Sequence, residues 1–430
     1  MQRKSCPKMI TVLAILMTAL AFVPGAWANP KYKVLYNFQG GKDGSGPMGG
    51  LILDAAGNLY GVTGGGGVGS CSGGCGTVFE LSRTKGRWAK KTLYRFRGNP
   101  TDGFAPEAKL AFDANGNLYG TTYSGGGQGD CSGLACGIVF ELTPSAGGRW
   151  KETVLHRFAG GSDGAIPYAG VLLDAVGNAY GTTTHGGGAP CDCGTVFELL
   201  PVAGGSWSEQ ILHTFSGPDG GAPFYMTFDA AGSLYGVTGY DGQNDAGVAF
   251  ELTPGSGGTW NDTTLYSFQG APDGALPDYG VAFDGENLYG VTDAGGRGHG
   301  TVFELKPDAK GGWTESVIHT FTGGKDGRNA EGSLAFDASG DIYGSTGGDV
   351  SCLHGDRLGC GNVFELIPAS GQQWKLRVLH TFTGGSHPAY PSGLISDTQG
   401  NLFGDAGQGG TGKCNGGGWS GCGVVFEITP

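Results

Sequence analysis

One short pattern returns seven times along the 430-residue chain, and that repetition limits the fold more than any other feature does. Its first landmark is an aromatic strand, Leu35-Tyr36-Asn37-Phe38, seen again as Leu93–Phe96, Leu155–Phe158, Leu212–Phe215, Leu265–Phe268, Ile318–Phe321 and Leu379–Phe382. The second begins at Asp54, runs through Gly57 and Asn58 to Tyr60-Gly61, and is echoed up to Tyr119, Tyr180, Tyr235, Tyr289, Tyr343 and Phe403. The third is Gly76-Thr77-Val78-Phe79-Glu80-Leu81, whose glutamate recurs as Glu141, Glu198, Glu251, Glu304, Glu365 and Glu427. Successive copies lie 53 to 62 residues apart.

Within one unit, apolar residues alternate or cluster over short runs bounded by glycine and proline, and no helical period appears. Four strands per unit are predicted: A around Gly50–Asp54, B over Leu59–Thr63, C over Val78–Leu81 and D from Trp88 to Phe96. A tryptophan precedes the strand D leucine or isoleucine by five residues at Trp88, Trp150, Trp207, Trp260, Trp313 and Trp374, with Pro30 in the seventh copy. After its first 28 residues the chain opens on a lone strand D, Val34–Phe38, and it ends on a lone strand C, Val424–Ile428. An open array would leave both as edges that recruit other chains. Pairing them instead completes a ring, so the expected fold is all-β: a seven-bladed β-propeller of four-stranded blades, closed by the N-terminal strand against the C-terminal blade.

The first segment has Arg3, Lys4 and Lys8, an apolar run from Met9 to Val23, then Pro24 and Ala26-Trp27-Ala28. This is the layout of a secretory leader, with cleavage expected after Ala28, which leaves residues 29–430 as one propeller domain. The run is shorter than the roughly 20 residues that span a bilayer, which favours cleavage over a retained anchor, and no second long apolar stretch occurs, so the mature chain is expected to lack a transmembrane segment and to be secreted or periplasmic. Loss of the leader removes three basic groups and no acids, taking the net charge from −12 to −15. Such a surface argues against nucleic acid, whose phosphates need lysine and arginine.

Apart from Cys6 in the leader, the ten cysteines form five close pairs, each in the loop between strands B and C: Cys71 with Cys75, Cys131 with Cys136, Cys191 with Cys193, Cys352 with Cys360, and Cys414 with Cys422. Even numbers at repeated positions in an exported chain read as disulfide staples. Zinc needs four converging ligands, and each loop brings two. The pair two residues apart, Cys191 and Cys193, leaves a redox role open beside a plain staple.

The unit Phe-x-Gly-Gly-x-Asp-Gly, then Asp-x-x-Gly-Asn-Leu-Tyr-Gly, then Gly-Thr-Val-Phe-Glu-Leu resembles the Gloeobacter/Verrucomicrobia (choice-of-anchor) tandem repeat over residues 35–430. That resemblance implies an exported, repeat-built bacterial protein and carries no assigned activity. The strand A to strand B succession is also similar to NHL-type propeller repeats, and the analogy implies that strand A is innermost.

Strand direction reverses at each step, so the A–B and C–D turns share one face and the longer B–C and D–A loops share the other. Variable loops on a rigid scaffold are where binding concentrates. On that second face an Asp-Gly pair recurs at Asp43, Asp102, Asp163, Asp219, Asp273 and Asp326, and Ser386-His387 takes its place in the last copy. Six carboxylates on a rim could hold calcium, which favours oxygen ligands; the same residues serve equally as turn formers. No other cofactor is implied.

A proline follows at Pro47, Pro106, Pro167, Pro223, Pro277 and Pro391, with Ala330 as the exception. The residue after it differs in every copy: Met48, Glu107, Tyr168, Phe224, Asp278, Glu331 and Ser392. With strand A innermost, these seven line the channel mouth and are the candidate ligand-binding residues. Tyr168 and Phe224 could face sugar rings, while Glu107, Asp278 and Glu331 could accept hydroxyl or cation contacts. Asp278 and Glu331 are also the candidate carboxylate pair for acid–base work on a glycosidic bond. No nucleophile elbow, phosphate loop or histidine-rich metal motif occurs. The expected function is a monomeric binding scaffold whose loop face meets a polysaccharide or surface protein. The alternatives are an extracellular polysaccharide hydrolase or lyase, and a purely structural surface protein.

Overall fold

The computed structural model describes residues 29–430 apart from Asn99, Gln128, Asp130, 132–134, 189–190, 348–359, Gln372, 385–386 and 417–418. The leader, Cys352 and Ser386 therefore lie outside the described residues. Seven four-stranded antiparallel sheets form the ring. The first blade consists of strand A Ser45–Leu53, B Leu59–Gly65, C Thr77–Thr84 and D Arg87–Arg95. Strands A of neighbouring blades meet around the axis, so strand A is innermost. Ring closure follows the expected route: Lys31–Asn37 pairs antiparallel with Val424–Thr429, from Lys31 opposite Thr429 to Asn37 opposite Val424.

Each landmark has a physical reason. Aspartate at the A–B turn folds the chain back on itself: Asp54 Oδ1 accepts the Ala56 and Asn58 N–H groups at 2.9 and 2.8 Å, and Oδ2 accepts the Asn58 amide at 2.8 Å. The hydrophobic core is divided into seven clusters, each shared by two adjacent blades. At every junction a phenylalanine just past strand D packs on the strand C phenylalanine of the next blade, from Phe38 on Phe79 round to Phe382 on Phe426. The seven ring-centroid separations lie between 5.0 and 5.4 Å, mostly edge to face.

The glycine after the strand B tyrosine exists for those rings. A Cβ on Gly290 would stand 2.4 Å from Phe303 Cζ, and at the other six copies the corresponding distance is 2.4 to 2.8 Å. Its backbone is ordinary extended strand, so the requirement is space. Gly290→Ala is expected to destabilise the protein by about 1–3 kcal/mol through overpacking, seen as a lower urea midpoint at unchanged slope.

The strand C glutamates are structural, with a partner that the repeat did not reveal. Six of the seven face the strand B tyrosine across the ladder, and Glu198, Glu251, Glu304 and Glu365 accept the hydroxyls of Tyr180, Tyr235, Tyr289 and Tyr343 at 2.6 to 3.0 Å. In the last blade Phe403 has no hydroxyl, and Glu427 instead faces Lys33 and Arg83 at 3.7 and 3.9 Å. The recurring tryptophan caps the tyrosine of the preceding blade, as Trp207 does Tyr119 and Trp260 does Tyr180.

Candidate functional site

Disulfides join Cys71 to Cys75, Cys131 to Cys136, Cys191 to Cys193, and Cys414 to Cys422. Cys360 is also disulfide-bonded. These loops lie on the face that carries the channel mouth, and the last of them contributes Lys413, Cys414 and Gly421 to its rim.

A cavity of about 660 Å³ opens there on the ring axis. Of the seven residues that follow the prolines, Met48, Glu107, Tyr168, Glu331 and Ser392 line it. Phe224 and Asp278 do not line it; Phe224 packs on Tyr168, and Asp278 directly precedes Tyr279, both lining residues. Phe224 meets Tyr168 nearly at a right angle, centroids 5.6 Å apart, so the two rings form a corner and not one flat platform. The three acids project over glycines of strand B: Glu107 against Gly64 and Asp278 against Gly239 of the preceding blade, Glu331 against Gly347 of its own.

Three tyrosines that the repeat did not single out, Tyr225, Tyr279 and Tyr390, also line the cavity. Tyr225 and Tyr279 directly follow Phe224 and Asp278. Strict alternation would send such neighbours to opposite faces, but strand A is bulged at Tyr225, with the register shifting between Pro223 and Met226, and its pairing is interrupted around Tyr279, between Ala275 and Val281. A bulge lets two successive side chains face one side. Asp405 was missed as well. It stands where other copies of strand B carry valine, threonine or serine, a substitution the sequence does display. Fully buried, it accepts the Ser392 hydroxyl on one oxygen and has no hydrogen bond on the other.

Burial sets the electrostatics. It raises Glu107 to about 7. Burial and then the neighbouring Asp293 raise Asp278 to about 7 and Glu331 to about 8. Asp405 rises to about 6 through burial, against the Ser392 hydrogen bond. Burial also lowers the Lys109 ammonium and raises the phenols of Tyr225 and Tyr279. Near neutral pH the channel therefore holds carboxyls that keep their protons for much of the time, beside un-ionised phenols. Such a surface donates and accepts hydrogen bonds without a large fixed charge.

The six Asp-Gly aspartates do not gather on this rim, and none lines the cavity. Each closes its own D–A loop by accepting a backbone N–H just upstream, as Asp43 does from Gln39 at 2.8 Å, Asp102 from Arg97 at 2.8 Å and Asp273 from Gln269 at 2.9 Å. Asp163, Asp219 and Asp326 do the same with Ala159, Ser216 and Thr322. Each also faces a tyrosine or histidine on strand D, such as Tyr36 on Asp43 at 2.8 Å and His213 on Asp219 at 3.0 Å. The turn reading accounts for these contacts. Among the described residues no helix is long and apolar enough to cross a membrane.

The chain is similar in fold to a gluconolactonase from Xanthomonas campestris, at 14% identity over 93% of this chain and 89% of that one with a TM-score of 0.41. It is also similar to YCF48 from Cyanidioschyzon merolae, at 12% identity over 92% and 98% with a TM-score of 0.49. No curated protein matches the sequence. The family described as the Gloeobacter/Verrucomicrobia repeat matches residues 25–191 and 188–416. With that match spanning nearly the whole ring, the chain belongs to the Gloeobacter/Verrucomicrobia repeat family, and seven of its repeats build this propeller.

Proposed function

We propose that the protein is an exported binding scaffold that takes a carbohydrate segment into the mouth of its central channel. The observation that carries this reading is the lining of the cavity: the phenol rings of Tyr168, Tyr225, Tyr279 and Tyr390 interleaved with Glu107, Glu331 and Ser392. Flat aromatic surface beside neutral and acidic oxygens suits pyranose rings and their hydroxyls, and the volume falls within the roughly 300–1,000 Å³ of small-ligand sites. Export is supported by the leader layout of residues 1–28 and by the disulfides, which persist in oxidising compartments outside the cytosol.

The test is a glycan panel applied to folded protein spanning residues 29–430, followed by Tyr225→Ala and Tyr279→Ala. Each variant is expected to weaken the best-bound glycan at least about tenfold, or about 1.4 kcal/mol. Absence of binding across the panel would move the protein to a purely structural role.

A specific observation also favours the second reading, a polysaccharide hydrolase or lyase. Asp278 and Glu331 belong to neighbouring blades and keep protons close to neutral pH, the state that a general acid needs. On that reading Asp278→Asn or Glu331→Gln abolishes product release while leaving glycan binding in place. Failure of the unaltered protein to release any reducing end from its bound glycan would remove it.

A further inference from the structure

The blade junctions at the outside of the ring repeat one three-residue meeting point, and its third member changes its charge. A strand D ring and the Asp-Gly aspartate come from one blade, while the residue two past the tryptophan comes from the next. At one junction that third residue is Lys90, whose ammonium donates to the Asp43 carboxylate at 3.0 Å and to the Asp43 carbonyl. Here the chain supplies its own cation between the blades. At two other junctions the third residue is an acid and the ring is a histidine. His156 meets Asp163 and Glu209, and His213 meets Asp219 and Asp262.

In each set one imidazole nitrogen and two carboxylate oxygens all lie within 4.8 Å of one another. His156 Nε2 stands 3.2 Å from Asp163 and 3.5 Å from Glu209. That nitrogen and Glu209 Oε1 are nonetheless enclosed atoms without a hydrogen-bond partner. Glu209 Oε1, enclosed without a donor beside a second carboxylate, is costly unless a proton or a cation joins the group, and Nε2 offers its lone pair to a cation in the tautomer that carries the proton on Nδ1.

We propose that His156, Asp163 and Glu209 hold a divalent transition-metal ion between the second and third blades, and that His213, Asp219 and Asp262 hold a second one between the third and fourth. Each ion takes the place that the Lys90 ammonium fills at its own junction. An imidazole with two carboxylates favours zinc or manganese over calcium, whose ligands are oxygens. The sites are separate from the channel and do not depend on its ligand. The fold provides an internal control: His319 meets Asp326 at 3.5 Å, but the corresponding residue of the next blade is Leu376, so that junction lacks the third ligand.

The test is calorimetric titration of chelator-treated, folded protein with zinc, manganese or calcium chloride. Two zinc equivalents are expected, bound at least tenfold more tightly than calcium. His156→Gln should remove one equivalent, His156→Gln with His213→Gln both, and His319→Gln neither. Glu209→Gln, which keeps the side-chain shape, should weaken one site at least tenfold and guards against loss of folding in the histidine variants. X-ray absorption of the zinc form should show mixed nitrogen and oxygen ligands without sulfur. Zinc binding that survives the double histidine variant, calcium binding of equal strength, or no binding in the unaltered protein would each overturn the proposal.

Discussion

A chain lacking residues 29–38 is expected to lose its cooperative unfolding transition and to self-associate. Those residues supply the fourth strand of the last blade, and their removal exposes the backbone edge of Val424–Thr429. They also carry Phe38, fully buried against Phe79 of the first blade at 5.1 Å, and Tyr32, stacked on His380 at 3.8 Å. Truncation of one buried phenylalanine costs about 3–5 kcal/mol. Here a whole strand, an inter-blade cluster and a newly open edge are lost together, so the expected loss exceeds about 5 kcal/mol, comparable to the total stability of many domains. Chemical unfolding followed by tryptophan fluorescence, with light scattering for association, measures both effects. Adding a peptide of residues 29–38 in trans should restore the transition in part, because it replaces the same strand without covalent linkage. A truncated chain that unfolds at the original midpoint would show that the ring is held by its other junctions alone.

The number of blades and the way they close were legible because they depend on counting. Seven returns of the Asp54-to-Gly61 landmark and two incomplete ends leave few other arrangements. The channel mouth was legible in part, since the residue after each proline varies within a repeat that otherwise holds steady. Tyr225 and Tyr279 were not, because the strand A bulge at Tyr225 and the gap in strand A pairing between Ala275 and Val281 that holds Tyr279 are backbone events with no residue signature of their own. The Asp-Gly aspartates stand apart from the mouth for a related reason. A period in sequence places residues on a common circle but gives no radius, and these six stand at the blade junctions, each accepting a backbone N–H of its own loop on one carboxylate oxygen. The tyrosine–glutamate pairs were not read either, although tyrosine and glutamate recur together in every copy except the last, where Phe403 stands opposite Glu427.

The same buried acids give the proposed channel site a pH dependence whose sign differs between ligand classes. Glu107 and Asp278 titrate at about 7 and Glu331 at about 8, each raised chiefly by burial. Below about pH 6 the three are largely protonated and the mouth is close to neutral. Above about pH 8.5 they are ionised, and Lys109, lowered by its own burial, holds its positive charge less well. An oligosaccharide of uronic acids carries negative charge throughout this interval. At separations on the order of 8–10 Å and an effective dielectric near 20, each new carboxylate opposes it by about 1–2 kcal/mol before screening. Uronate affinity is therefore expected to fall about 100-fold from pH 5.5 to pH 9, with the steepest change between pH 6.5 and 8, while a neutral glucan changes less than about threefold. In the variant carrying Glu107→Gln, Asp278→Asn and Glu331→Gln together, the uronate profile should become flat and stay near its acidic value. Calorimetry or fluorescence titration at a series of pH values reads both ligands on the same protein. A uronate profile that is flat in the unaltered protein would mean that these acids do not face the bound sugar, and the channel would lose its place as the binding site.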